Sequence, residues 1–446
     1  MTPIALRPYQ TKLLEDITAE VNSGNRSVIV VMPTGAGKTR SGAELVRRHV
    51  EKGGRVLWCA HREELVGQAF DTMEGFGLSV GCISAKGVRP PNKHRPIQVA
   101  STQTLATRGI FPEGITMAVF DEFHHYASDQ WVKVVNHYRA KNCIVVGLTA
   151  TPAREDGRAM GDLCDAMVIG PTVADLQAEG VLVPCSIVDP GNRLRPGTLA
   201  QSPVHAYKEN TPNGKAIVFA PNVKTATHFT EEFNASGIKA AMVTGAMNDA
   251  TRNKVFADYS NRRIDVLVNV GVATEGYDDP PTDTIILARG IGSLVLYTQI
   301  IGRGLRAWPG KSKCTVLDLF GCVHTFGPPD EEREYSLDGE GMSRKGAVRK
   351  EQFCKVCGNL MTLGSVCEVC ANEKNGPQLP QILGIKLHKY IAKLKESGEQ
   401  RKAYYFKLLS QAQEKGYKEG WCAAKYKAIY CSWPPRVWLQ EYRNEK

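Results

Sequence analysis

Apolar residues recur with helical spacing at Leu13, Leu14, Ile17 and Val21, and then give way to a continuous β-branched run, Val28, Ile29, Val30 and Val31. Beyond that run the pattern predicts helix 39–50, strand 55–60, helix 62–75 and strands 78–83, 97–101, 116–120 and 143–148. A second series begins at strand Ala216–Phe219. It continues with helix 222–236, strand Ala240–Val243, helix 249–260, strands Val266–Val270 and Thr284–Leu287, helix 293–302 and strand Thr315–Leu319. Strands that alternate with helices predict parallel sheets covered on both faces, hence an α/β chain of two tandem lobes. Residues 153–214 break the rhythm with Pro171, Pro184, Pro190, Pro196, Pro203 and Pro212, and are read as the crossing between the lobes.

Residues 326–350 mix Gly, Pro and charge without an apolar period, as a linker does. Next come Cys354-x-x-Cys357 and Cys367-x-x-Cys370, two knuckles that present four thiolates to one tetrahedral Zn²⁺. So small a module has little core of its own, and the metal would supply its folding energy. The remaining stretch reads as helices, with Leu379, Ile382, Leu383 and Leu387, then Leu408, Leu409 and Ala412. Aromatics stand among its lysines: Tyr404, Tyr405, Phe406, Tyr417, Trp421, Tyr426, Tyr430, Trp433 and Trp438. They suit either base stacking or the core of a small helical domain. The expected divisions are 1–190 and 191–325 for the two lobes, 326–350 for the linker, 351–373 for the zinc module and 374–446 for a basic, aromatic helical tail.

Charge sharpens this division. Residues 341–446 hold 20 Lys and Arg against 9 Asp and Glu, a net of +11, whereas the first 340 residues hold 36 against 37. The excess in the last quarter suits a polyanion, or else a solvated lysine-rich surface. The chain has no apolar run of about eighteen residues, and its start, MTPIALRPYQ, lacks the marks of a signal peptide, so a cytoplasmic location is expected and no membrane partner. Thirteen cysteines are an odd number, and most stand singly in apolar contexts, as reduced thiols do.

The richest chemistry lies in Ser27–Arg40, SVIVVMPTGAGKTR. After the strand, Pro33, Thr34, Gly35, Ala36 and Gly37 form a turn whose N–H groups can converge on phosphates at a helix N-terminus; Lys38 neutralises the β/γ-phosphates and Thr39 offers a hydroxyl to Mg²⁺. Met32 occupies the position of the pattern's first glycine. At the end of strand 116–120 stand Asp121, suited to hold Mg²⁺, and Glu122, suited to orient and deprotonate an attacking water. Thr149 and Thr151, at another strand end, can relay hydrogen bonds or cap the next helix. Arg303 and Arg306, near a helix end in the second series, can stabilise charge on a γ-phosphate, form a surface ion pair or contact nucleic acid.

With these pieces in this order, residues 4–325 resemble the superfamily 2 helicases in a DExH form, and within them the RadD-like DNA-repair branch, through VLVNVGVATEGYDDP and LYTQIIGRGLRAWPGKSKCTVLD; the ending WPPRVW is similar to phage-encoded relatives. The resemblance implies two RecA-like lobes with ATP and Mg²⁺ in the cleft and nucleic acid across the top. It places Arg7 and Gln10 at the adenine, Ser27–Thr39 as motif I, Asp121–His124 as motif II and Leu148–Pro152 as motif III. Cys59–Gln68 and Ser101–Leu105 resemble the strand-contacting motifs, with Arg62, Thr102, Gln103, Thr104, Thr244 and Thr274 as contacts. Asn269–Asp278 resembles motif V, with Gly276 and Asp278 at the nucleotide, and Gln299–Arg306 matches QxxGRxxR, whose last arginine is the finger. His124, Thr149, Thr151 and Gln299 would couple the two events. The implied activity is an ATP-driven DNA helicase or translocase of replication, recombination or repair, acting on single-stranded or branched DNA beside replication or repair proteins, in a bacterial cell or a phage host. The alternatives are movement on RNA, duplex translocation without unwinding, or a zinc-containing adaptor without catalysis.

Overall fold

Uninterrupted apolar runs leave no face for water, and in the computed structural model Ser27–Val31 and Val56–Ala60 are strands with every residue buried. The structure describes residues 4–124, 129–152, 160–195, 197–273, 277–337, 351–353, 360–362, 379–390 and 398–415, with 422, 439 and 442. It forms two compact units, Met1–Tyr390 and Ile391–Lys446.

The first unit contains two seven-stranded sheets. Lobe one comprises α1 (Pro8–Asn22), β1 (Ser27–Val31), α2 (Lys38–Glu51), β2 (Val56–Ala60), α3 (Glu63–Gly75), β3 (Val80–Ile83), β4 (Ile97–Ser101), α4 (Thr102–Arg108), β5 (Met117–Phe120), α5 (Asp129–Arg139), β6 (Ile144–Thr149), β7 (Ala166–Ile169) and α6 (Val173–Ala178). Its strands run parallel in the order β3-β4-β2-β5-β6-β1-β7. Because side chains alternate along a strand, Val28 and Val30 enter one core with Trp58, while Ile29 enters the opposite one with Phe120, Phe123 and Trp131.

Lobe two comprises β8 (Cys185–Asp189), β9 (Thr198–Leu199), α7 (Pro203–Asn210), β10 (Ala216–Phe219), α8 (Val223–Ala235), β11 (Ala240–Thr244), α9 (Asp249–Ser260), β12 (Val266–Val270), β13 (Thr284–Leu287), α10 (Leu294–Gly304), β14 (Cys314–Asp318) and α11 (Val323–Phe326). A hairpin, β15 (Glu351–Phe353) and β16 (Leu360–Thr362), and the short strands β17 (Gln381–Ile382) and β18 (His388–Lys389) follow. The second sheet has the order β11-β12-β10-β13-β14-β8-β18, parallel except for β18.

Three expected divisions change. β8 lies before residue 190, yet Cys185–Val188 pair with Cys314–Leu317, so the second lobe's sheet begins upstream of the expected boundary at residue 190. Residues 326–337, expected as linker, return to lobe one: Gly161 N–H donates to the Leu337 carbonyl at 2.8 Å, and Leu337 packs on the Phe120–Trp131 core. Residues 379–390, expected as helix, are extended. Pro380 and Gly384, at φ +68°, interrupt the helical spacing of Leu379, Ile382, Leu383 and Leu387, and the amides of Gln381, Leu383 and Ile385 donate to Gly197, Leu199 and Ala200 carbonyls at 2.9 Å.

In the second unit, α12 (Gly398–Lys415) contributes Tyr405, Leu408, Leu409 and Ala412 to a small core with Cys422 and Tyr442. Two of its aromatics, Tyr405 and Tyr442, are therefore packed inside. No described helix is long and apolar enough to cross a membrane.

Candidate active site

β1 ends at Val31, and the loop that follows passes Pro33 and turns through Gly35 at φ +88° and Gly37 at φ +85°, the latter capping α2. A Cβ on Gly37 would lie 2.5 Å from Gln10 Nε2, so this position needs glycine for both its backbone and its space. Met32 replaces the pattern's glycine without strain. It is not among the residues with positive φ, and it is fully buried, with its amide donating to the Thr149 carbonyl at 2.9 Å. Lys38 Nζ donates to the Met32 carbonyl at 3.3 Å and so spans the loop.

α1 braces this loop from outside. Tyr9 OH and Gln10 Nε2 both donate to the Ala36 carbonyl, at 2.9 and 3.2 Å, and Gln10 Oε1 accepts from Arg7 N–H at 3.0 Å. Gln10 thus joins the phosphate loop to the N-terminal segment. Tyr9 is a participant that the sequence reading missed, although it is the neighbour of Gln10.

Asp121 and Glu122 leave the end of β5 at the same cleft. Glu122 adopts φ +52°, uncommon for a side chain with a Cβ, and its N–H donates to Asp121 Oδ1 at 3.0 Å. Its Oε2 lies 3.5 Å from His124 Nδ1. His124 is fully buried, with Nδ1 3.3 Å from Thr149 Oγ1 and Nε2 3.5 Å from Gln299 Nε2. The Thr149 hydroxyl donates to the Thr151 carbonyl at 2.8 Å. These directions are consistent with one tautomer: Gln299 donates to Nε2, and protonated Nδ1 faces Thr149 and Glu122. Thr151 Oγ1 lies 3.3 Å from Thr298 Oγ1 on α10, a further crossing between the lobes. All four expected coupling residues therefore meet. Thr298 joins them unforeseen, with only its place beside Gln299 as a signal.

α10 brings the arginines. A Cβ on Gly302 would lie 2.6 Å from Thr34 Cβ, so the helix touches the phosphate loop directly. Arg303, 9% exposed, donates through Nη1 to the Tyr277 carbonyl, and Arg306 Nη1 pairs with Asp278. Burial lowers the Arg306 pKa to about 10, which leaves it cationic at neutral pH, and its buried Nε has no hydrogen-bond partner among the described residues. A buried cation with an unused donor is suited to receive an anion.

These groups line one cavity of about 1130 Å³: Arg7, Gln10, Thr34–Thr39, Asp121, Glu122, Tyr277, Asp278, Arg303 and Arg306. Thr39 and Asp121 offer it the hydroxyl and carboxylate oxygens that suit a hard divalent cation. Other expected residues lie elsewhere. Thr102, Thr104 and Thr244 are buried, with the Thr102 hydroxyl spent on the Ala60 carbonyl at 3.2 Å; Gln103 is exposed and Arg62 half-buried at the start of α3. Thr274 and Gly276 lie outside the described residues, as do Cys354, Cys357, Cys367 and Cys370. Among the described residues there is no cluster of potential metal ligands.

Residues 3–154 match the family described as the type III restriction enzyme res subunit, and residues 199–307 match the helicase conserved C-terminal domain. The chain belongs to the superfamily 2 helicases. It is an ATP-hydrolysing enzyme. It is 28% identical to a 51.5 kDa protein of Lactococcus phage (isolate 7-9) over 77% of this chain and 78% of that one. It is also 28% identical to a protein of Schizosaccharomyces pombe described as a mitochondrial ATP-dependent helicase, irc3, over 71% of this chain and 57% of the fungal one. In fold it is similar to a fragment of the HsdR subunit of a type I restriction enzyme from Vibrio vulnificus YJ016, with a TM-score of 0.59, 20% identity and coverage of 76% of this chain and 68% of that one.

Proposed function

We propose that this helicase moves on or unwinds DNA, single-stranded or branched, using ATP hydrolysed in the cavity between the lobes. The observation that carries the reading is the meeting of groups from both lobes around that cavity, with the relay Gln299–His124–Thr149 beside the base, Glu122. Hydrolysis that needs both lobes makes lobe movement and turnover one event. Lys38 would neutralise the triphosphate, Glu122 would orient and deprotonate the attacking water, and Arg303 and Arg306 would meet charge developing on the transferred phosphoryl group. Mg²⁺ held by Thr39 and Asp121 would supply further neutralisation of the phosphates.

DNA rather than RNA is favoured by the likeness of lobe one to the res subunit of a restriction enzyme and by the RadD-like motif wording. Half-buried Arg62 and exposed Gln103, each two residues past the end of one of the adjacent strands β2 and β4, would be contacts to the DNA. The test is steady-state ATPase with single-stranded DNA, duplex DNA, forked DNA and RNA side by side. Stimulation by single-stranded or forked DNA well above that by RNA is expected; stimulation by RNA alone would overturn the choice. The four knuckle cysteines are proposed to hold Zn²⁺. Metal analysis of freshly purified protein should find about one Zn²⁺ per chain, lost in Cys354→Ser. A metal-free wild type would refute it.

A further inference from the structure

One half-buried amine beside the site has no part in the reading above. Trp308-Pro309-Gly310-Lys311 forms a turn closed by a 3.0 Å bond from Lys311 N–H to the Trp308 carbonyl, with Gly310 at φ +80°, as a type II turn with proline second and glycine third requires. The turn swings Lys311 back under the end of α10. There Nζ donates to three carbonyls: Pro280 at 2.9 Å, Thr282 at 2.5 Å and Arg306 at 2.8 Å. An ammonium has three protons, and all three are used.

The three carbonyls belong to two segments that the active site needs in register. Pro280 and Thr282 lie two and four residues after Asp278, and Tyr277 and Asp278 receive Arg303 and Arg306. The far side of that turn is anchored separately, by the buried pair of Lys215 and Asp279 at 2.8 Å, with Asp279 also accepting from the Thr282 hydroxyl at 2.9 Å. The main chain at Arg306 is held on its other flank by Leu182, and Val183 N–H donates to the Leu305 carbonyl at 2.8 Å. Lys311 closes the remaining side by joining the Arg306 carbonyl to the turn that holds its guanidinium.

We propose that Lys311 is a positioning residue for ATP hydrolysis, whose ammonium locks the main chain at Arg306 to the Pro280–Thr282 turn and so fixes where the Arg306 guanidinium meets the transferred phosphate. The inference rests on the reading of Arg306 as the phosphate-facing arginine. A plain packing role would need only the lysine's methylenes. Three carbonyls converging on Nζ demand the charged donor instead. Burial lowers the Lys311 pKa to about 8; facing the amine are Cys314 on β14, Asp279 and Asp283 around the turn, and Arg306. Loss of its proton removes one of three donors.

The experiment measures DNA-stimulated ATPase of the full chain as wild type, Lys311→Met, Arg306→Ala and the double variant. Lys311→Met should lower kcat by roughly 10²-fold, the cost of misplacing a catalytic group by about 1 Å, with little change in KM for ATP. The double variant should be no slower than Arg306→Ala alone, because Lys311 acts through Arg306. If Arg306→Ala is crippled while Lys311→Met turns over normally, or if the two losses multiply, the positioning role is overturned and the Arg306 reading survives. An Arg306→Ala enzyme at the wild-type rate overturns both. Should Lys311→Met not fold, the wild-type pH profile decides: kcat should fall through about pH 8 as the amine loses its proton, and a flat profile from about pH 7 to 9 would contradict the proposal.

Discussion

At Glu122 the backbone sits at φ +52°, a conformation that costs a residue with a Cβ on the order of 1–3 kcal/mol and persists where the surroundings hold it. The holding groups are the Asp121 carboxylate that accepts its N–H and the His124 ring 3.5 Å from its Oε2. This aims one carboxylate at the cavity and leaves its neighbour, Asp121, as an oxygen donor. On the proposed assignment the two acids have separable roles. Glu122→Gln should leave nucleotide binding intact and slow hydrolysis by roughly 10²–10⁴-fold, since only the base is removed. Lys38→Ala should instead weaken nucleotide binding itself. Parallel measurements of ATP affinity and single-turnover rate check both, and a near wild-type rate in Glu122→Gln would reject the base.

Among the elements, those with a strong local period were legible. The strands and helices of both series formed close to where the apolar spacing placed them, and the phosphate loop, the acidic pair and the arginines gathered as their motifs implied. What stayed hidden depended on distant partners. β8 is a five-residue strand whose place follows from pairing with β14 more than a hundred residues later. The spacing of Leu379, Ile382, Leu383 and Leu387 imitates a helix, yet amides that find lobe-two carbonyls win. Lys215 has no motif around it, and only the fold reveals that it is fully buried against Asp279 with the Tyr259 ring 4.5 Å away. Truncating one partner of such a pair leaves a buried charge, so Asp279→Ala should cost about 3–5 kcal/mol in denaturant unfolding, whereas a change under about 1 kcal/mol would deny the pair that role.

For the whole molecule, the return of residues 379–390 to lobe two changes where the chain can be divided. Ending it near residue 330 would strip β17 from β9 and β18 from β8, whereas ending it after Tyr390 keeps the first unit whole. Residues 391–446 hold 12 basic against 6 acidic side chains, a net of +6. If that unit grips DNA, the 1–390 protein should retain basal ATPase but bind DNA with a shallower salt dependence, each lost phosphate contact removing about 0.9 from the slope on duplex. An unchanged slope would assign the basic surface another task. The central claim is that hydrolysis takes a group from each lobe, and single-turnover ATP hydrolysis by Arg306→Ala, with nucleotide affinity measured alongside, tests it most directly. The account predicts a fall of roughly 10³-fold or more with ATP still bound; hydrolysis at the wild-type rate would show that lobe one works without its partner.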